Sequence, residues 1–112
     1  MFRGPTIPAI SVEQVPLDAV ILDVREDDEW AAGHAPDALH VPMMQVPSRT
    51  DEIPADRDVV VVCRVGQRSA QVTAFLLHNG WERVINLDGG MTDWEAAGRP
   101  MVSEDGGAAR VI

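Results

Sequence analysis

The chain has 112 residues, of which 46% are hydrophobic, and this length and composition predict one globular domain. Its formal net charge of -9 argues against binding to nucleic acid or to anionic membrane surfaces, which are themselves negatively charged. All nine cationic side chains are arginine, and the absence of lysine excludes Schiff-base catalysis and the lysine of a phosphate-binding loop.

The sequence carries no sign of a membrane or secreted location. No apolar run approaches the ~20 residues of a membrane-spanning helix. Residues 1–5 lack the apolar core of a signal peptide, so we expect a cytoplasmic protein. The single cysteine cannot form an internal disulfide, which is typical of a reducing compartment.

The first part of the chain predicts two strands separated by a short helical turn. Residues 1–6 are expected to be an irregular lead-in, followed by an edge strand at 7–10 whose proline only an edge tolerates. Residues 11–14 have the spacing of a capping box. A second strand is expected at 20–24, and Asp23 within it needs polar partners because its neighbours are apolar.

An acidic run at residues 26–29 predicts the first turn of a helix, where negative charge suits the helix dipole. Gly33 is the expected C-cap of that helix. We expect Arg25 to pair with a carboxylate such as Glu29, and Trp30 to lie in the core.

The rest of the chain alternates further strands and helices. Four successive valines at 59–62 favour a strand buried on both faces, as in a parallel sheet. The other expected elements are a short strand at 39–41, a short helix at 46–53, a helix that opens at Ser69 and covers 70–78, a fifth strand at 84–87 and a last helix at 91–97.

This alternation predicts an α/β fold, with a central, mainly parallel five-stranded sheet covered by helices on both faces. The core is expected to span about residues 7–102, and residues 103–112 are expected to form a flexible tail.

The one cysteine, Cys63, stands where the central strand is expected to end, and open α/β sheets place ligands at that edge. The turn into the next helix points backbone N–H groups at one spot, and Arg64 and Arg68 add positive charge. These effects favour the thiolate, so we expect the pKa of Cys63 to be below its ordinary value. Gly66 permits a backbone conformation that other residues resist. A buried structural cysteine is the alternative.

The segment Cys63-Arg-Val-Gly-Gln-Arg-Ser69 resembles the active-site loop of rhodanese (thiosulfate sulfurtransferase) domains. Ala35 and Asp37 depart from the residues usual in that family, which affects the shape of their loop. The other similar segments follow the family's order and lie at 22–26, 29–30, 33–36, 40–42, 87–91, Trp94 and 98–100.

The resemblance implies a single rhodanese-like domain over residues 1–112 and a sulfurtransferase that carries sulfane sulfur as a persulfide on Cys63. The donor would be a small anion, thiosulfate or a persulfide, and the acceptor a thiol such as thioredoxin or glutathione. Asp23 and Arg25 would support the site, with purely fold-stabilising contacts as the alternative. No cofactor or metal is required. The residues implied to bind the donor and the persulfide are Arg64, Val65, Gly66, Gln67, Arg68 and Ser69.

Three alternatives stay open on the sequence. A non-catalytic or carrier module that serves a partner protein would have the same loop. A cysteine-dependent phosphatase or arsenate reductase is disfavoured, because four residues separate Cys63 from Arg68 and the related phosphatases carry one more. A zinc site formed by His34, His40 and Cys63 is disfavoured, because the metal would consume the reactive thiolate.

Overall fold

The computed structural model describes residues 7–112, so the lead-in predicted for residues 1–6 lies outside the described part of the chain. Within it, no helix is long and apolar enough to cross a bilayer. The strands are β1 (Ala9–Ile10), β2 (Val20–Asp23), β3 (Leu39–His40), β4 (Val59–Val62) and β5 (Val84–Leu87). The helices are α1 (Asp27–Ala32), α2 (Gln67–His78) and α3 (Gly90–Ala96), and short 3-10 turns cover Val12–Gln14, Met43–Ser48 and Thr50–Glu52.

The five strands form one sheet in the order β1-β5-β4-β2-β3, and every neighbouring pair is parallel. The predicted α/β fold is therefore confirmed, with β1 at an edge, where its preceding proline is tolerated. Because the strands run in one direction, their carboxyl ends meet at one edge of the sheet.

The central strand β4 is buried on both faces, as its run of valines predicts. Val59 and Val61 pack into a core cluster with Leu76 of α2, whereas Val60 and Val62 pack on the other face, in a cluster that includes α3. This division follows from the alternation of side chains along a strand. All four valines have no exposed surface, so the strand that precedes Cys63 is held from both sides.

Two predicted helices differ from those observed. Helix α2 begins at Gln67 rather than near Ser69, because Gly66, with φ +102°, turns the chain into the helix earlier. The helix expected at 46–53 is replaced by two 3-10 turns. Pro47 lies inside the first of these turns and has no N–H to donate to a regular α-helical ladder.

The segment 103–112, for which the sequence predicts a flexible tail, lies against α1. The N–H groups of Glu104 and Arg110 donate to carbonyl oxygens at the end of α1, at 3.1 and 3.0 Å. The side chain of Val111 packs against the core cluster on the α3 face. The composition of the tail carries no signal for this packing, because the hydrogen bonds come from the main chain.

The sheet core predicts a large difference between two leucine truncations. Leu22 of β2 has no exposed surface, whereas Leu17 is 99% exposed. We expect Leu22→Ala to lower the free energy of unfolding by about 2–5 kcal/mol, because it leaves a cavity in the core. Leu17→Ala should change it by less than about 0.5 kcal/mol. Urea denaturation of both variants measures the difference, and equal losses would contradict this assignment of the core.

Candidate active site

Cys63 lies directly after β4, at the carboxyl edge of the sheet, and has no exposed surface. The next three residues turn the chain into α2. The sulfur accepts a hydrogen bond from the Gly66 N–H at 3.1 Å and one from the Ser69 hydroxyl at 3.2 Å. The loop therefore encloses the sulfur and points donors at it, as expected from a strand that leads into a helix.

The balance between burial and hydrogen bonding determines the pKa of Cys63. Burial by itself raises the pKa of this thiol, because it penalises the charged form. Hydrogen bonds from the Ser69 hydroxyl and from the backbone N–H groups of Ser69, Gly66 and Val65 outweigh burial. The pKa of Cys63 is therefore lowered, in the direction predicted, and the main cause is donated hydrogen bonds rather than the charge of the two loop arginines.

The two loop arginines are engaged by other parts of the protein. Arg68 forms a two-point ion pair with Glu29 of α1, at 2.7 and 2.9 Å. The hydrogen bonds between them lower the pKa of Glu29 and raise the pKa of Arg68. Arg64 is exposed, and its Nε donates to the main-chain oxygen of Ile112 at 3.0 Å. Of the two loop arginines, Arg68 is therefore paired with a carboxylate, and Arg64 lies exposed at the rim of the loop.

Asp23 and Arg25 form a buried ion pair at 2.8 Å, with side-chain exposures of 1% and 0%. Arg25 therefore pairs with a carboxylate, as predicted, but the partner is Asp23 and not Glu29, which the prediction gave as its example. Residues two apart on an extended segment point to the same side, so Asp23 is the nearer partner. Nη2 of Arg25 also donates to the carbonyl of Gly33 at 2.7 Å, and Nη1 has no partner within residues 7–112. The pair connects the end of β2, next to β4, with the end of α1.

The first turn of α3 supports the loop, a role that the sequence analysis missed. The N–H of Met91 donates to the Cys63 carbonyl at 2.8 Å, and the N–H of Thr92 donates to the Arg64 carbonyl at 3.0 Å. Gly90 has φ +58°, and a Cβ there would lie 2.5 Å from the Cys63 carbonyl oxygen. The paired glycines 89–90 were a usable signal for a close backbone approach, but the sequence does not show which segment approaches.

Trp30 is half-buried, and its ring stacks with the rings of two histidines. Its ring centroid lies 3.5 Å from that of His34 and 4.5 Å from that of His40, with interplanar angles of 4° and 5°. Within residues 7–112, no group of His, Cys, Asp and Glu side chains is arranged to hold a metal ion.

The rhodanese-like domain family matches this chain over residues 12–97. A sulfurtransferase of Allochromatium vinosum is 47% identical over 89 residues, which cover 80% of this chain and 83% of that protein. The crystal structure of a thiosulfate sulfurtransferase from Pseudomonas aeruginosa is similar with a TM-score of 0.77 and 29% identity, over 95% of this chain and 22% of that one. A NAD-dependent persulfide reductase from A. fulgidus is similar with a TM-score of 0.70 and 39% identity, over 79% of this chain and 16% of that one.

The hydroxyl of Ser69 is expected to sustain the reactivity of Cys63. Ser69→Ala removes a donor to the sulfur, so the pKa of Cys63 should rise and less thiolate should be present at pH 7. Alkylation by iodoacetamide at pH 7 should slow about fivefold, as expected for one neutral hydrogen bond. The pH profile of the alkylation rate measures the change. Ser48→Ala, on an exposed 3-10 turn, is the matched control, and equal profiles for both variants would contradict the assigned hydrogen bond.

The buried pair predicts that Asp23→Asn strongly destabilises the fold. The variant leaves the guanidinium of Arg25 buried without its counter-charge, and we expect a loss of about 3–5 kcal/mol in the free energy of unfolding. The exposed pair Arg83–Asp58 offers a matched control, because Asp58→Asn should cost less than about 1 kcal/mol. Guanidinium chloride is unsuitable because it screens charge, so urea titration is the measurement. Similar losses for both variants would contradict a structural role for Asp23.

Proposed function

This chain belongs to the rhodanese-like domain family, and we propose that it moves sulfane sulfur from an anionic donor to a thiophilic acceptor through a persulfide on Cys63. The observation that carries the proposal is the enclosed sulfur of Cys63, which receives hydrogen bonds from Gly66 and Ser69. A cysteine in a purely structural role gains nothing from a lowered pKa, whereas a nucleophile does.

The first half-reaction uses the thiolate as the nucleophile. The Cys63 sulfur attacks the outer sulfur of thiosulfate, a new S–S bond forms, and the old S–S bond breaks as sulfite leaves with the bonding electron pair. The negative charge remains on the outer sulfur of the persulfide. We propose that the donors that hold the thiolate, the Gly66 N–H and the Ser69 hydroxyl, also stabilise this anion. Val65, Gln67 and the other loop residues from Arg64 to Ser69 complete the proposed binding site.

The second half-reaction needs an acceptor from outside the chain. Cys63 is the only cysteine, so no second thiol of this chain takes the outer sulfur. A nucleophile such as glutathione, thioredoxin or, in an assay, cyanide attacks that sulfur and restores the thiolate. This double displacement predicts ping-pong kinetics. The cytoplasm is the compartment that we propose, because the thiol has to return to its reduced form after each transfer.

Arg64 and Arg68 are proposed to attract the anionic donor in an otherwise acidic protein. Arg68 already pairs with Glu29, so its charge is largely balanced. Arg64 is exposed beside Cys63 and contacts a main-chain oxygen rather than a carboxylate side chain. In this proposal Arg64 is the first contact for the donor, and Asp23 and Arg25 support the site through the buried pair.

A sulfur-carrier role for a partner protein is the second candidate. The similarity to a persulfide reductase favours this role. The region of that protein that is similar to this chain makes up 16% of its length, so it is one part of a larger protein. A carrier would form the same persulfide and would discharge it only to its own partner.

Loss of the nucleophile separates these possibilities. Cys63→Ser should reduce thiosulfate-dependent thiocyanate formation by at least about a thousandfold. Intact-mass analysis after thiosulfate treatment should show a gain of one sulfur atom in the wild-type protein and none in the variant. A mass gain without turnover would identify a carrier. If the wild-type protein shows neither turnover nor a mass gain, that result would contradict thiosulfate as the donor.

A further inference from the structure

The end of the described chain reaches the candidate active site. Residues 108–112, here called the rim segment, lie beyond the part of the chain that the family match covers. The main-chain oxygen of Ile112 accepts a hydrogen bond from Nε of Arg64 at 3.0 Å. Arg64 follows Cys63 directly in the sequence, so the rim segment contacts the arginine that we propose as the first contact of an anionic donor.

Several contacts hold the rim segment in this position. The N–H of Arg110 donates to the last carbonyl of α1 at 3.0 Å, and the N–H of Val111 donates to a Glu95 carboxylate oxygen at 2.9 Å. A Cβ on Gly33 would lie 2.5 Å from the carbonyl oxygen of Arg110 and 2.6 Å from its nitrogen. The rim segment therefore has a defined place between α1 and α3, and Val111 is its apolar anchor.

The contact at Arg64 is nevertheless easy to exchange. Arg64 and Ile112 are both exposed, and a single contact between exposed groups contributes little net free energy, whether the oxygen belongs to a peptide carbonyl or to a carboxylate. A dianion such as thiosulfate carries two negative charges and forms charge-assisted hydrogen bonds to the same guanidinium. The ion pair between Arg68 and Glu29 is different, because it is a two-point contact between half-buried side chains. Of the two loop arginines, Arg64 is therefore the one whose present hydrogen-bond acceptor an incoming anion can displace.

We propose that the rim segment competes with the anionic donor for Arg64 and so determines the affinity of the site for anions. An anion binds Arg64 after the Ile112 oxygen has left, whereas a neutral reagent does not need this exchange. The rim segment then discriminates between reagents by charge. The proposal rests on the proposed function for the identity of the donor, but the competition at Arg64 is testable without sulfur transfer.

Alkylation of Cys63 provides the test, because it is the only cysteine and every label reports on one site. The measured quantity is the ratio of alkylation rates with iodoacetate, an anion, and iodoacetamide, its neutral analogue. Val111→Ser weakens the anchor, and we expect it to raise this ratio about twofold to fivefold. Ala108→Ser, at an exposed position of the same segment, is the matched control and should leave the ratio unchanged.

A second variant and a double variant keep the test decisive. Gly33→Ala places a methyl group against the Arg110 backbone and should raise the ratio as Val111→Ser does. In an Arg64→Ala background, neither substitution should change the ratio. An unchanged ratio in both single variants would overturn the proposal. A rise that persists without Arg64 would also overturn it, because general access rather than competition would then be the cause.

Turnover with thiosulfate distinguishes this proposal from the proposed function. If the chain transfers sulfur from thiosulfate, Val111→Ser should lower KM for thiosulfate by the same factor as the alkylation ratio rises, with kcat unchanged. If the wild-type protein shows no turnover, that result would refute the proposed use of thiosulfate. The alkylation ratio would still decide whether the rim segment competes for Arg64.

Discussion

The arrangement at the carboxyl edge of the sheet depends on one constraint, which is that a buried sulfur carries negative charge only where donors surround it. Burial of Cys63 opposes ionisation, and the hydrogen bonds from Gly66 and Ser69 reverse that effect. These donors have to stay in place, because a loop that relaxed toward water would lose their alignment. The surrounding elements can therefore be understood by how they hold this short loop.

Two features of the fold hold the start of the loop in place. Strand β4 is packed on both faces, so the position of Cys63 does not vary with the loop. The first turn of α3 donates hydrogen bonds to the carbonyls of Cys63 and Arg64 and approaches so closely that only glycine fits at position 90. The carbonyls of the loop point at this turn, which leaves the N–H groups of the loop free to face the sulfur.

Ion pairs extend the support to α1. Arg68 binds Glu29 of that helix, while Arg25 binds Asp23 and the carbonyl of Gly33 at the end of the helix. Two of the nine arginines thus connect the loop and the central sheet to one short helix. The rim segment lies on the same helix and reaches Arg64. Helix α1 therefore links the support of the site to the segment that borders it.

The sequence by itself determined the alternation of strands and helices, the parallel sheet and the position of Cys63 at its carboxyl edge, because these follow from local periodicity and chain order. Only the tertiary structure decided that Glu29 pairs with Arg68 rather than Arg25, and that the segment 103–112 packs on α1. An ion pair depends on distances between elements that are remote in sequence. In an acidic chain each arginine has several candidate carboxylate partners, and the sequence does not show which of them is near. Main-chain hydrogen bonds, as in the rim segment, use groups that nearly every residue carries, so the residue types do not predict them.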